Sequence, residues 1–222
     1  MQVQEKLKHL KHLVRLIVEN EILPQDSYLA GGTALYFYFS HRISIDLDFF
    51  TQKQFRSESL LFKIRETIKD TMTELIEKDT LIIYLSPEKI RFSLFFLPYK
   101  LLSPLNPYQL APGRFINLAS LEDMEAMKAI ALVQRGSAKD FVDLYFLLKK
   151  TGHSFPELFA KTKEKYGLTK EYEYHLKKAL VYFDDAEREL EAIWLIKKKG
   201  QIKKISKADW QKIKNFFLQL CL

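Results

Sequence analysis

The chain reads SYLAGGTALYFYFSHRISIDLDFFT over residues 27–51. Residues 27–30 predict a short strand that runs into the Gly31-Gly32 pair, and residues 33–40 predict a short buried helix directly after it. Apolar and polar side chains alternate over residues 43–50, which is the period of a strand. The segment therefore predicts a strand, a glycine turn, a short helix and a second strand, in that order.

Asp46 and Asp48 lie on one face of the second predicted strand because side chains alternate along a strand, whereas Leu47 faces the core. Two carboxylates this close repel each other, and a divalent cation removes that repulsion. Mg²⁺ takes hard oxygen ligands, commonly one or two carboxylates together with substrate phosphates. The pair predicts a site for Mg²⁺ or Mn²⁺, although an Asp-x-Asp pair alone is also compatible with a solvent-facing strand end.

Gly31 and Gly32 allow the backbone to approach a phosphate closely, and the N-terminus of the following helix offers free N–H donors. The hydroxyl of Thr33 can add one more donor. A diglycine is also typical of a simple tight turn. Its combination with Asp46 and Asp48 places predicted phosphate donors beside predicted metal ligands, and this favours an NTP site.

The remainder of residues 1–100 predicts further helices and strands. Helical periodicity covers residues 3–20 and 57–73, the second with Ser57 or Ser59 as its N-cap. Alternation predicts strands over 81–85 and 90–97, joined by a turn at 86–89.

Four breakers, Pro104, Pro107, Pro112 and Gly113, predict a loop-rich connector after these strands. A capped helix start is predicted at Ser120, and helical periodicity dominates from there to the C-terminus. We therefore predict an α+β fold, with an α/β part over residues 1–100 and a connector with a helical part over residues 101–222.

Composition bounds the class of protein. Hydrophobic residues make up 47% and charged residues 28% of the 222 residues, which is enough to bury a core. The single cysteine, Cys221, cannot form an internal disulfide and fits a reducing compartment. No apolar run approaches the ~20 residues that span a bilayer, and the chain opens on a charged segment rather than a signal peptide. A cytoplasmic protein without membrane contact is expected.

The formal net charge is +7, which favours anionic partners such as nucleotides or RNA. Part of this charge forms a C-terminal lysine group: Lys197, Lys198, Lys199, Lys203, Lys204, Lys207, Lys212 and Lys214. Such a group can bind a polyanion, but it is also typical of a solvated face. Both interpretations remain open at this point.

The residues GGTAL at 31–35 and HRISIDLDFFT at 41–51 resemble the first motif of DNA polymerase beta-like nucleotidyltransferases. More narrowly, they resemble the AbiEii/AbiGii toxins of abortive-infection and type IV toxin–antitoxin systems. Lys128, Arg135 and KDFVDLY at 139–145 follow in the order usual for that family. The resemblance covers roughly residues 28–150. It implies a nucleotidyltransferase core, with the helical part packed on it.

The resemblance also implies roles for matching residues. Lys128 would contact the triphosphate or its leaving group, although a solvated lysine is the alternative. One of Asp140 and Asp143 would serve as an active-site carboxylate or general base, with Asp140 preferred. The alternative for both is a favourable acid in the first turn of a helix. Arg135 would bind phosphate or pair with an acid.

Two residues before the Asp pair also carry alternative interpretations. His41 and Arg42 precede the Asp pair and could touch the nucleotide, but a loop role is preferred. The wider superfamily places a third carboxylate on a later strand, and residues 89–97 carry Arg91 and Ser93 but no acid. This departure makes catalytic efficiency an open question.

The implied activity is Mg²⁺-dependent transfer of a nucleoside monophosphate from an NTP to a hydroxyl, with release of pyrophosphate. This is a transferase of the EC 2.7.7 type. The implied acceptor is RNA, such as a tRNA end, or a protein side chain, and a cognate antitoxin is a candidate partner. One alternative is a catalytically degenerate nucleotidyltransferase fold that only binds RNA or protein. Another is nucleotidyl transfer to a small molecule.

Overall fold

A computed structural model describes residues 3–85, 89–197 and 200–222. The chain divides into two compact units. The first contains Met1–Phe37, Ser44–Tyr99 and Leu105–Ala119, and the second contains Tyr38–Ile43, Lys100–Pro104 and Ser120–Leu222. The two units therefore do not meet at one boundary near residue 100, because residues 105–119 belong to the first unit and residues 38–43 belong to the second.

The first unit is built on a seven-stranded mixed sheet. Its strands are β1 (Tyr28–Ala30), β2 (Leu47–Thr51), β3 (Thr71–Glu77), β4 (Thr80–Leu85), β5 (Ile90–Phe96), β6 (Asn106–Ala111) and β7 (Arg114–Leu118). The spatial order is β3-β4-β5-β2-β1-β7-β6. Strand β2 runs parallel to β5 and β1 runs parallel to β7, whereas the other neighbours are antiparallel.

This part of the chain also contains three helices: α1 (Val3–Glu19), α2 (Gly31–Phe39) and α3 (Ser57–Thr67). Helix α1 was predicted from apolar residues at spacings of three and four, and Leu10 and Val14 on this face are completely buried. Strand β2 buries Leu47 and Phe49 completely, as its alternation predicted. The predicted order of strand, helix and strand is confirmed, but Gly31 and Gly32 are the first residues of α2 rather than a turn before it.

Three boundaries differ from the predictions. Residues 43–46 are not part of β2, because their backbone groups bond elsewhere: the Ile43 N–H donates to the carbonyl of Trp194. Helix α3 ends at Thr67 and β3 follows, since residues 71–77 pair with β4. Neither predicted serine caps α3, because its N-cap is Arg56, whereas the Ser57 hydroxyl donates to the Glu77 carbonyl.

The predicted loop-rich connector is wrong for residues 106–118, which form the β6–β7 hairpin. Pro107 fits because β6 is the last strand of the sheet, and an edge strand tolerates a residue without an N–H. Gly113 takes the left-handed conformation in the turn, with φ of 70°. The turn predicted at 86–89 lies mostly outside the described residues.

The second unit is mainly helical. Its elements are α4 (Leu121–Arg135), α5 (Ala138–Thr151), α6 (Phe155–Tyr166), α7 (Tyr172–Leu180), α8 (Asp184–Glu187), a 3-10 turn (Leu190–Ala192), β8 (Trp194–Ile196), β9 (Ile202–Lys204) and α9 (Lys207–Leu220). Ser120 caps α4 as predicted, since its side chain accepts from the Asp123 N–H. The β8–β9 hairpin was not predicted. It binds the segment before the Asp pair through a bridge between Leu195 and Arg42.

The α+β fold class is thus confirmed, with a mixed sheet and helices followed by a mainly helical C-terminal part. Across the described ranges, every helix is too short or too polar to cross a bilayer.

Candidate active site

Gly31 brings the start of α2 against the Asp48 carboxylate. The antiparallel register of β1 and β2 sets Ala30 opposite Asp48, so the next residue lies beside that side chain. Gly31 has φ of 70°, and a Cβ placed on it would lie 3.3 Å from Asp48 Oδ2. Glycine is required here both for the backbone conformation and for the close approach.

Gly31→Ala is expected to lose most activity, because the added methyl group pushes the Asp48 carboxylate out of place. The left-handed conformation adds a strain of about 1 kcal/mol or more. Gly113→Ala is the matched control: its φ is also 70°, but no atom lies within 4 Å of the added Cβ. Thermal unfolding should show similar losses for the two variants, and rate measurements should show a large loss only for Gly31→Ala. Equal activities would contradict the close-approach argument.

Thr33 fixes the loop that carries Asp46. Its hydroxyl is fully buried and donates to the Asp46 carbonyl at 2.5 Å, and the Ser44 hydroxyl lies 3.0 Å away. A hydroxyl has a single hydrogen to donate. The predicted donation from this hydroxyl to a phosphate is therefore not what the structure shows. Binding of phosphate by the backbone N–H groups of Gly31, Gly32 and Thr33 stays a prediction.

The Asp48 side chain is held from the neighbouring strand. The parallel register of β2 and β5 sets Ser93 beside Asp48, and the Ser93 hydroxyl donates to Asp48 Oδ1 at 2.7 Å. A nitrogen of the Arg91 guanidinium lies 3.5 Å from the same oxygen. Arg91 also lies 3.4 Å from Glu74 Oε2 through its Nε. Strand β5 therefore supplies a hydroxyl and a cation to Asp48.

Glu74 is a functional candidate that sequence reasoning missed. It lies at a register shift between Thr73 and Leu75 in β3, and such bulges re-aim a side chain. Its hydrogen bond with the Tyr84 hydroxyl raises the pKa of that group, and the Asp46 carboxylate raises this pKa further. No sequence pattern singled out Glu74, because it directly follows the helix predicted over residues 57–73.

These side chains fit a Mg²⁺ site of the kind completed by substrate. Asp46 and Asp48 are partly exposed, and Mg²⁺ commonly takes one or two carboxylates together with waters and phosphate oxygens. Among the described residues, no three His, Cys, Asp or Glu side chains are placed to hold a metal ion together. Asp46 and Asp48 are the residues that would hold such an ion.

The second unit contains a buried ion network made of His41, Arg42, Lys128, Arg135, Asp140 and Asp143. Its centre is Asp143, which is completely buried. Arg42 donates to both Asp143 oxygens, from Nε at 2.6 Å and from a terminal nitrogen at 2.7 Å. His41 Nε2 lies 2.7 Å from Asp143 Oδ1. This arrangement gives His41 and Arg42 a structural role, in agreement with the preferred interpretation from sequence.

Lys128 joins the two acids of this network. Its ammonium lies 2.8 Å from Asp140 Oδ1 and 2.7 Å from Asp143 Oδ2. Arg135 donates to both oxygens of Asp140, at 2.7 and 3.0 Å, while much of its own side chain stays exposed. Lys128 is buried, so the alternative of a solvated lysine is wrong. Of the two roles left open for Arg135, the structure shows the pairing with an acid.

The network sets the charge of its members. Burial alone raises the pKa of Asp143, but Arg42 and Lys128 outweigh burial and hold this pKa well below its usual value. Burial also raises the pKa of Asp140, but Lys128 and Arg135 lower it by more, so this pKa is below its usual value. Both carboxylates are thus ionised at neutral pH, and a low pKa makes a weak general base. The general-base role implied for Asp140 or Asp143 gains no support from this geometry.

The pKa values of Lys128 and His41 shift in opposite directions. Burial lowers the pKa of Lys128, but Asp143 and Asp140 raise it by more, so the ammonium stays charged. Burial lowers the pKa of His41, and with Arg42 and Lys128 it outweighs the raising effect of Asp143, so the imidazole is neutral at pH 7.

Comparison with known proteins agrees with this description. A family model described as "Nucleotidyl transferase AbiEii toxin, Type IV TA system" matches residues 15–220. An uncharacterized protein of Aquifex aeolicus (strain VF5) is 40% identical over 191 residues, which cover 84% of this chain and 85% of that protein.

Two solved structures share the fold at low sequence identity. JHP933 from Helicobacter pylori is 18% identical with a TM-score of 0.63, and the match covers 98% of this chain and 92% of that chain. The nucleotidyltransferase toxin MenT4 from Mycobacterium tuberculosis H37Rv is 13% identical with a TM-score of 0.57, and the match covers 97% and 82%.

Proposed function

The chain belongs to the AbiEii nucleotidyltransferase toxin family of type IV toxin–antitoxin systems, and we propose that it is an active Mg²⁺-dependent enzyme that transfers a nucleoside monophosphate from an NTP to a hydroxyl of RNA. Membership supports a toxin-like nucleotidyltransferase with an antitoxin as its partner. Mg²⁺ as the metal, an NTP as the donor and RNA as the acceptor are our proposals beyond family membership. The positive net charge supports a polyanionic acceptor.

The contact of Gly31 with the Asp48 carboxylate carries the proposal. It sets the first turn of α2, whose N–H groups have no partner within the helix, beside the Asp48 carboxylate. Asp46 and Asp48 would hold Mg²⁺, which supplies charge stabilisation to the entering and leaving oxygens. In the reaction, the acceptor hydroxyl oxygen bonds to the α-phosphorus and the bond from that phosphorus to the β-phosphate bridge breaks. Pyrophosphate leaves, and the hydroxyl proton passes to solvent.

Lys128 keeps a proposed role toward the triphosphate. An ammonium has three N–H donors, and Asp140 and Asp143 use two of them among the described contacts. We propose that the third reaches a phosphate oxygen, while the network holds the side chain in one conformation. Such a preorganised cation loses little conformational entropy on binding.

A labelling experiment tests the proposal. The protein is incubated with total RNA, Mg²⁺ and each α-³²P-labelled NTP in turn, with an EDTA control. We expect label on RNA, release of pyrophosphate and no reaction in EDTA. Label on a protein would replace RNA by a protein acceptor. Absence of label and of pyrophosphate with all four NTPs would contradict the enzyme proposal.

The degenerate binding module is a second candidate, because β5 presents Arg91 and Ser93 where the superfamily places an acid. This alternative expects NTP or RNA to bind without turnover. Equilibrium binding of labelled NTP, measured beside the labelling experiment, distinguishes the two candidates. Binding without product would favour the module.

The C-terminal lysine group is expected to bind the acceptor rather than to perform chemistry. Lys203, Lys207 and Lys212 are exposed, whereas Lys197 pairs with Asp209 at 2.6 Å. Lys198 and Lys199 lie outside the described residues. A variant with Gln at 197, 198, 199, 203 and 204 should raise the KM for RNA and flatten its salt dependence, because fewer counterions are released on binding. The KM for NTP should hardly change.

The control removes five exposed lysines elsewhere: Lys8, Lys11, Lys63, Lys69 and Lys150. It changes the net charge equally and should leave a steeper salt dependence. Rates measured against salt concentration for the two variants and the wild type show whether the C-terminal lysine group binds RNA. Identical curves would return the C-terminal lysine group to the class of solubilising faces.

A further inference from the structure

Arg91 contacts two carboxylates loosely. Its guanidinium lies 3.5 Å from Asp48 Oδ1 and 3.4 Å from Glu74 Oε2. Both distances are at the long limit of a hydrogen bond. The Arg91 and Asp48 side chains are each 30% exposed. By contrast, Ser93 donates to the same Asp48 oxygen at 2.7 Å. The hydroxyl is the firm partner of Asp48, and the guanidinium is a weak one.

The sheet explains why the guanidinium lies there. Register sets Arg91 opposite Tyr84 on β4, two residues before Ser93 on the same face of β5. The bulge in β3 turns Glu74 toward the Tyr84 hydroxyl. Asp48 and Glu74 therefore both lie beside the Arg91 guanidinium. In the metal-free protein, Arg91 is a cation that offsets the repulsion between these two carboxylates.

We propose that Arg91 is a displaceable counter-ion: it neutralises Asp48 in the metal-free protein, yields that carboxylate to a divalent cation, and then binds the triphosphate. Glu74 is the positioning residue that retains the guanidinium when it leaves Asp48. The inference rests on the proposed function, because it takes Asp48 as a metal ligand.

Energetics favour this exchange. A partly exposed ion pair at this distance contributes little, so a doubly charged cation with Asp46 and Asp48 as ligands displaces it readily. The freed guanidinium presents a planar fork of donors that matches phosphate oxygens. An acid at this position would bind the metal more tightly. An arginine instead makes metal and nucleotide binding depend on each other.

The test measures Mn²⁺ binding by electron paramagnetic resonance, first without nucleotide. Arg91→Gln should bind Mn²⁺ roughly twofold to fivefold more tightly than the wild type, since the competing cation is gone. Its Kd for a non-hydrolysable NTP analogue should rise about tenfold, because a charged donor is lost. Glu74→Gln should weaken Mn²⁺ binding, because Arg91 then rests on Asp48 alone. A residue that only supports the fold is not expected to raise the affinity for Mn²⁺ and lower the affinity for the nucleotide analogue when it is replaced, as Arg91→Gln should.

Arg65→Gln is the matched control. Arg65 also contacts β3, but through the Thr71 and Thr73 hydroxyls, so both affinities should stay at wild-type values. Asp48→Asn identifies the site, because it should abolish Mn²⁺ binding in every background. Thermal unfolding of each variant checks that it is folded.

The outcomes are distinct. Unchanged or weaker Mn²⁺ binding by folded Arg91→Gln would overturn the counter-ion proposal and leave the proposed function standing. Absence of Mn²⁺ binding in the wild type, with and without the analogue, would overturn the metal assignment itself and this inference with it.

Discussion

Asp48→Asn is expected to lower nucleotidyl transfer by roughly a thousandfold or more while the protein stays folded, and Asp46→Asn is expected to do the same. A metal ion stabilises transition-state charge by several kcal/mol, and each 1.36 kcal/mol is about a factor of ten in rate. The amide of the first variant can still accept from Ser93, which lies 2.7 Å from the present carboxylate. Removal of one of two repelling charges also leaves the free energy of unfolding unchanged or raised.

Initial rates with saturating NTP and Mg²⁺, together with thermal unfolding, check this expectation. Asp70→Asn is the matched control, because Asp70 is exposed and lies between α3 and β3. It makes the same chemical change and should keep the wild-type rate. Turnover near wild type in either Asp46→Asn or Asp48→Asn would refute the metal assignment.

The part of the fold that residues 27–51 form could be predicted because its signals are local. A period of two defines β2, the glycine pair ends β1, and the apolar run between them defines α2. The resulting contact of Gly31 with Asp48 follows from register alone, since Ala30 pairs with Asp48. The prediction was wrong at Asp46, which precedes β2 and whose carbonyl accepts from the Thr33 hydroxyl, a partner that the alternation does not reveal.

Elements that depend on distant partners could not be predicted. Strand β3 exists because residues 71–77 pair with β4, and their own propensity did not separate them from α3. Two of the prolines that predicted a connector lie in the β6–β7 hairpin: Pro107 is tolerated because β6 is an edge strand, and Pro112 lies in the turn. The side chain of Glu74 depends on a bulge that no periodicity reveals.

The buried ion network is the clearest case of partial prediction. Lys128, Asp140 and Asp143 were singled out through resemblance, and Asp140 and Asp143 were expected to share a helix face. Their burial was not foreseen, because two of the side chains that contact Asp143 lie about a hundred positions earlier in the chain. His41 and Arg42 are separated from Asp143 by 102 and 101 residues. A pairing at that separation leaves no pattern in one sequence.

Lys128→Ala is expected to lower the free energy of unfolding by about 3–5 kcal/mol at pH 7, because it removes one partner of a buried charge group. Asp140 and Asp143 are completely buried and would each lose a contact shorter than 2.9 Å. Arg135→Ala is the control in the same network. Its side chain is 54% exposed, so water can replace it, and a loss of about 1 kcal/mol or less is expected.

The effect of Lys128→Ala should depend on pH in a defined direction. The pKa of Asp143 is well below its usual value in the folded protein, and that of Asp140 is also lowered. Such groups stabilise the fold above the unfolded pKa of about 3.9, and this contribution is lost as the pH falls through the folded value. The stability difference between wild type and Lys128→Ala should therefore shrink below about pH 4. Urea unfolding at pH 7 and at pH 3 measures this difference. A difference that is equally large at both values would show that Lys128 stabilises the fold by packing alone rather than through these carboxylates.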